Sequence, residues 1–198
     1  MAVYLVQGLD FSPLQLVLMG TAMEAAVFIS EVPTGVVADT YSRRLSLIVG
    51  YVGMGATWIL VGIVSTPWVI IALWGLWGLS YTFTSGAEEA WIADEVGAGN
   101  VGRVFLKGAR VRYVGSIVGL LGLVALGTVS LRASVIAGGA ITAVCGVVCI
   151  FLMPETGFQR RPRAERGSAL TELRSTAASG ARYAWAAPVI LLLVGVEL

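Results

Sequence analysis

The chain has 198 residues, 57% of them hydrophobic and 13% charged, with a formal net charge of +1 and no histidine. A soluble domain is about a quarter charged because its surface must face water, so this composition, with a mean hydropathy of +0.86, excludes an ordinary soluble domain. A near-neutral total gives no reason to expect nucleic acid as a partner, and the two cysteines have no histidine with which to build a zinc site.

Long runs carry no charge at all: Leu45 to Ala87, Tyr113 to Leu131, and Ala133 to Pro154. A helix needs about 20 apolar residues to cross a bilayer core. Only helices and closed barrels satisfy their backbone in lipid, and these runs show no alternation with period two. The expected fold is therefore an all-α membrane protein, a polytopic helical bundle. Its first whole span is expected at 13–39. Ser12, Pro13 and Gln15 form the start signal there, a hydroxyl cap, a proline at the first helical position and a glutamine at capping-box spacing. Further spans are expected at 45–65, 68–94, 113–131 and 133–153, with "STP" at 65–67 dividing the second from the third. Trp68, Trp91 and Trp185 fall at span ends, where aromatic belts occur.

At the start of the chain, "MAVYLV" reads as the tail of a span, and "AWAAPVILLLVGVEL" at 184–198 as the beginning of another. The expectation is five complete spans flanked by two partial ones, with a bundle over 1–154, a basic linker over 155–182 and the start of a further span at 183–198. Met1 has no basic region or adequate apolar core behind it, so no signal peptide is expected. Orientation comes from the basic residues. Arg43 and Arg44 fall in one loop, Arg103, Lys107, Arg110 and Arg112 in a second, and Arg160, Arg161, Arg163, Arg166, Arg174 and Arg182 in a third. These loops alternate along the chain and share one side, which leaves Arg132 alone on the other. The positive-inside bias places the three basic loops in the cytoplasm and the chain in the cell membrane as a multi-pass protein. The linker's Leu170, Leu173 and Ala177 can lay a short helix on anionic lipid.

Between the first two whole spans lies "GVVADTYSRR" at 35–44. Its pattern G-x-x-x-D-x-x-S-R-R resembles the signature loop of the major facilitator superfamily, G-x-x-x-D-x-x-G-R-R/K. "EVPTG" at 31–35 and "SGAEEAWIADEVG" at 85–97 are similar to drug-exporter-like and uncharacterised members of that family. Ser42 stands where the family has its second glycine, and Thr40 replaces a usual basic residue. The resemblance covers the whole chain as the family's amino-terminal half. It implies a cytoplasmic latch made by Asp39 with Arg43 or Arg44, with Asp94 as a further partner and Gly35 allowing close helix approach. It also implies that Asp39 faces a helix of the second half, which a second transporter half or a homodimer would have to supply.

Charges inside spans come next. Glu24 lies about ten residues into its helix, roughly 15 Å deep at 1.5 Å per residue, near the midplane of a bilayer core. A charge there is costly unless it faces a cavity or a partner, so Glu24 is a candidate for the substrate or proton pathway. Glu31, seven residues on, falls on nearly the same face, and Pro33 permits a kink nearby. Glu88 and Glu89 are expected close to the interface, as structural carboxylates or paired with the basic stretch at 103–112. No arginine lies between Trp68 and Glu88, which departs from many proton-coupled family members. "GSIVGLLG" at 115–122 has the glycines of the family's antiporter motif, but Leu120 stands in place of its proline. The motif then reduces to a small-residue packing face, as do Cys145 and Cys149.

No phosphate-binding glycine loop, nucleophile–base pair or metal cluster is legible, so neither an enzyme nor a cofactor is expected. The reading is a secondary active transporter, its amino-terminal half, exporting a small organic molecule by alternating access, with membrane lipid as its surroundings. The alternatives are a transport-inactive fragment and a membrane scaffold or partner subunit.

Overall fold

The structure, a computed structural model, describes residues 1–97 and 99–158. The expected linker beyond residue 158, with Arg160 to Arg182, and the further span at 183–198 lie outside the described residues. A short π-helical turn, Tyr4–Gly8, precedes six helices: α1 (Pro13–Thr40), α2 (Arg43–Ile63), α3 (Pro67–Thr82), α4 (Ala87–Val96), α5 (Val101–Val129) and α6 (Leu131–Leu152). With α3 and α4 taken together, five segments are long and apolar enough to span a membrane. The described residues contain no sheet, and the chain is an all-α polytopic bundle.

Helix starts follow local chemistry. At α1 the Ser12 hydroxyl accepts from the Gln15 amide at 3.3 Å, and the Gln15 side chain accepts from the Ser12 amide at 2.9 Å. This is the expected capping box, which satisfies two of the donors that a helix start leaves orphaned. Ser42 caps α2 through the Leu45 amide at 2.8 Å, and Ser130 caps α6 through that of Ala133 at 3.2 Å. Helix α1 runs for 28 residues and passes Pro33 without ending.

Two expectations are corrected. The third span is not one continuous helix: α3 stops at Thr82, a turn follows, and α4 restarts after Gly86, whose φ of +71° suits glycine alone. The basic stretch 103–112 is not a loop either. Helix α5 begins at Val101, so Arg103, Lys107, Arg110 and Arg112 are helical. No proline lies between Asn100 and Tyr113, and although Gly102 and Gly108 fall within the stretch, arginine and lysine are good helix formers.

Helix α2 packs against both α3 and α6, and it does so through glycines on opposite faces. A Cβ on Gly55 would stand 2.6 Å from the Gly139 carbonyl of α6, and one on Gly139 would stand 2.7 Å from the Gly55 carbonyl. On the other face, a Cβ on Gly50 would meet the Ser80 carbonyl at 2.9 Å. Lipid provides no hydrophobic drive between helices, so such backbone-close packing carries the association. Apolar clusters close the two ends, one around Tyr4, Leu5, Phe11, Val61, Ile70 and Val135, the other around Ala38, Leu47 and Ala87. Helix α5 differs, with no buried residue. The packing face expected at Gly115, Gly119 and Gly122 meets nothing: a Cβ at any of them has no neighbour within 4 Å among the described residues. Overpacking a tight contact costs about 1–3 kcal/mol. Gly55→Ala is therefore expected to lower the melting temperature in detergent, while Gly115→Ala leaves it unchanged.

Candidate functional site

The loop between α1 and α2 brings its charges to one end of the bundle, where α1 ends, α2 begins, α4 ends and α5 begins. Arg43 organises this basic end. From the first turn of α2 its guanidinium donates to Asp39 Oδ1 at 3.3 Å, to the Ala90 carbonyl at 2.8 Å, and to the Asp94 carboxylate in a very short contact. One side chain thus ties the end of α1 to α2 and α4. The three partners keep only 19% (Arg43), 34% (Asp39) and 27% (Asp94) of their side-chain surface exposed, so their attraction is less screened than that of a surface pair. The Phe158 ring lies 5.8 Å from the Arg43 guanidinium carbon, within cation–π reach.

Arg44 has a different job. Its guanidinium donates to the Ile150 carbonyl of α6, and its amide donates to Glu155 Oε1 at 3.1 Å. Glu155 also accepts from the Ser42 hydroxyl, at 2.8 and 3.0 Å. A carboxylate therefore sits on the start of α2, where the helix dipole favours an anion. Ser42, which departs from the resembled pattern, supplies the hydroxyl that a glycine would lack. Sequence reading assigned no role to Glu155. Its signal was available only as a lone acid beside Pro154, with nothing to show that the end of α6 returns to the start of α2. The same return joins the Trp91 indole to the Pro154 carbonyl at 2.7 Å, and the Thr156 hydroxyl and Gly157 amide to Glu95, both at 2.7 Å.

Gly35 is not at a close approach: a Cβ there would have no neighbour within 4 Å among the described residues. The carboxylates of α1 are not drawn into the Arg43 cluster. Glu31 accepts from the Ser85 hydroxyl in the α3–α4 turn at 2.7 Å, and Glu24 is exposed. Glu88 pairs with Arg112 of α5 at 2.9 Å and accepts from the Tyr51 hydroxyl of α2 at 3.2 Å. A cleft of about 610 Å³ lies between α4 and α5 beside that pair.

Sequence reading also missed an aromatic ladder. Trp58 of α2 stacks on Trp74 of α3 at 6.3 Å between ring centroids, Trp74 on Trp77 at 5.8 Å, and Trp77 on Tyr81 at 5.6 Å. The i, i+3, i+7 spacing on α3 was legible, but the partner on α2 was not. Helices α1 and α3 run parallel, with Ala22 against Gly75 and Met23 against Gly78. Stepping 100° per residue from those contacts places Glu24 and Glu31 on one flank of α1. Trp74, Trp77 and Tyr81 then lie on the flank of α3 that faces the same side.

If Arg43 bridges as described, Arg43→Gln and Asp94→Asn should show a coupling of about 1–3 kcal/mol in a double-mutant cycle of detergent unfolding. Arg44→Gln with Asp94→Asn should be additive within about 0.5 kcal/mol.

A family model described as Major Facilitator Superfamily matches residues 1–196. The chain is also similar to a curated protein of Bacillus subtilis (strain 168), the uncharacterized MFS-type transporter YxaM. The two are 30% identical over 110 residues, 56% of this chain and 28% of the relative's length.

Proposed function

The chain belongs to the major facilitator superfamily, and from that membership we propose that it acts as the amino-terminal half of a secondary transporter exporting a small organic molecule by alternating access. In this architecture a helical bundle rocks against its counterpart around a site near the bilayer midplane. The observation that carries the reading is Arg43, which joins Asp39 and Asp94 across three helix ends. A charge cluster at the mouth of a bundle is a latch when the contacts are held in one state and released in the other. Asp39, Arg43 and Asp94 form it here, while Arg44 and Glu155 hold the start of α2 in place. The counterpart is a second transporter half or a second copy, and the basic end faces the cytoplasm by the bias of its arginines.

For the pathway, Glu24 at mid-depth, Glu31 on the same face and the aromatic ladder on the neighbouring flank of α3 support an organic substrate with apolar area to stack. Glu24 is the carboxylate that takes part in substrate or proton binding.

The latch is tested by labelling. Ala87 is buried under the cluster, 3% exposed and packed with Ala38 and Leu47. In a Cys145→Ala, Cys149→Ala background, Ala87→Cys should react slowly with a maleimide in proteoliposomes and several-fold faster once Asp39→Asn is added. Equal rates remove the latch. The pathway is tested with fluorescent dyes that are neutral, cationic or anionic, effluxed from cells expressing the chain. Glu24→Gln, at matched membrane abundance, should change efflux of at least one dye or its pH dependence; identical profiles across pH rule Glu24 out.

A further inference from the structure

The cations of α5 divide into two sets. Arg112, although exposed, pairs with Glu88. Arg103, Lys107 and Arg110 follow one another at i, i+4 and i+7, which puts them on a single face. All three are exposed, and none has an ion-pair partner among the described residues. Like charges at this spacing repel, so the face is more stable with an anion against it.

The same face changes character one turn further on. Val114, Val118 and Leu121 continue the stripe, exposed by 64%, 66% and 65%. A shallow, open apolar depression of about 460 Å³ lies on this helix surface, lined by Arg110, Val111, Val114, Gly115 and Val118. Gly115 deepens it, since that position has no side chain and nothing packed within 4 Å. Depth fits as well. Helix α5 has 29 residues, about 43 Å at 1.5 Å per residue, longer than the ~30 Å hydrocarbon core. The charge-free stretch from Tyr113 onwards fills most of that core, which leaves residues 103–110 at headgroup level.

We propose that this face of α5 is a binding site for an anionic phospholipid, with the phosphate held by Arg103, Lys107 and Arg110 and an acyl chain lying in the depression over Val114, Gly115 and Val118. Two observations commit the site to that occupant: the cluster is uniformly cationic, and its last member, Arg110, borders a shallow apolar surface of α5 at the depth of the first acyl carbons. A zwitterionic lipid brings an ammonium that the three cations repel. A free anion has no use for the apolar surface. The inference is independent of whether the chain transports anything.

The test is native mass spectrometry of the detergent-purified chain with phosphatidylglycerol and phosphatidylcholine of identical acyl chains. The wild type should retain phosphatidylglycerol in preference to phosphatidylcholine. The double variant Lys107→Gln/Arg110→Gln should lose about fivefold of that preference per cation removed. Gly115→Leu, which fills the depression without touching a charge, should also weaken phosphatidylglycerol retention, and either variant carries the test alone if the other fails to fold. Equal retention of the two lipids by the wild type overturns the site. So does an unchanged preference in the charge variant, or an unchanged preference in Gly115→Leu, which reduces the effect to diffuse electrostatic attraction. Displacement of the lipid by millimolar inorganic phosphate assigns the cluster to a free anion instead. A charge variant that shifts the mass of the assembly rather than its lipid content assigns the face to a second copy of the chain.

Discussion

A bilayer core offers no hydrogen-bond partner to a peptide group, so any interruption of a spanning helix must be satisfied from within the protein. The α3–α4 turn interrupts the Pro67–Val96 segment, which is long and apolar enough to span, and helices α1 and α2 satisfy it. The Thr82 carbonyl receives the Thr34 hydroxyl of α1 at 3.1 Å, a proton Thr34 shares with its own helix at Ser30. The Phe83 carbonyl receives the Ser46 hydroxyl of α2 at 2.8 Å. Within the turn, the Tyr81 carbonyl accepts from the Thr84 and Ser85 amides at 2.9 and 3.1 Å. Thr34, Ser46, Thr82 and Thr84 are all buried. For these hydroxyls to reach, α2 must lie close to the end of α3, and Gly50 allows that approach.

Breaking the span frees α4 to take its own direction, and each turn of this ten-residue helix engages a different neighbour. Glu88 meets Tyr51 and Arg112, Trp91 meets Pro154, Asp94 meets Arg43, and Glu95 meets Thr156 and Gly157. A continuous helix would carry these groups along the line of α3. The break thus places the acidic face of α4 where the arginine of α2 and the segment after α6 converge. A conformational change at the basic end must therefore move α4, the start of α2 and the segment after α6 together, or break several hydrogen bonds at once.

Helices α2 and α5 show two ways of living in a membrane. The first buries residues along its length and presents glycines to helices on both sides, so it is a rigid strut. The second buries nothing and meets its surroundings with apolar side chains below a set of cations. Its glycines resemble those of α2 in the sequence, yet no neighbouring backbone stands against them. Glycine spacing reports that a close approach is sterically possible; whether one occurs depends on which helix lies opposite.

The sequence alone determined the class, the five spans among the described residues, the capped start of α1, and the loop whose residues mark the family. Each of these is a local property: charge-free length, a hydroxyl at a helix start, or a contiguous motif. The candidacy of Glu24, from its position counted along a helix, and that of Asp39, Arg43 and Asp94, from the resemblance of the loop to the family's, also rested on local sequence. What only the tertiary structure decided concerns groups that meet across long stretches of chain. It separated Arg43 from Arg44, brought Glu155 back to the start of α2, turned the basic stretch at 103–112 into helix, and broke the third span. The break has no proline to announce it. The carbonyls left at the end of α3 are satisfied by hydroxyls 37 and 48 residues away in the sequence, and no local reading of the chain contains that fact.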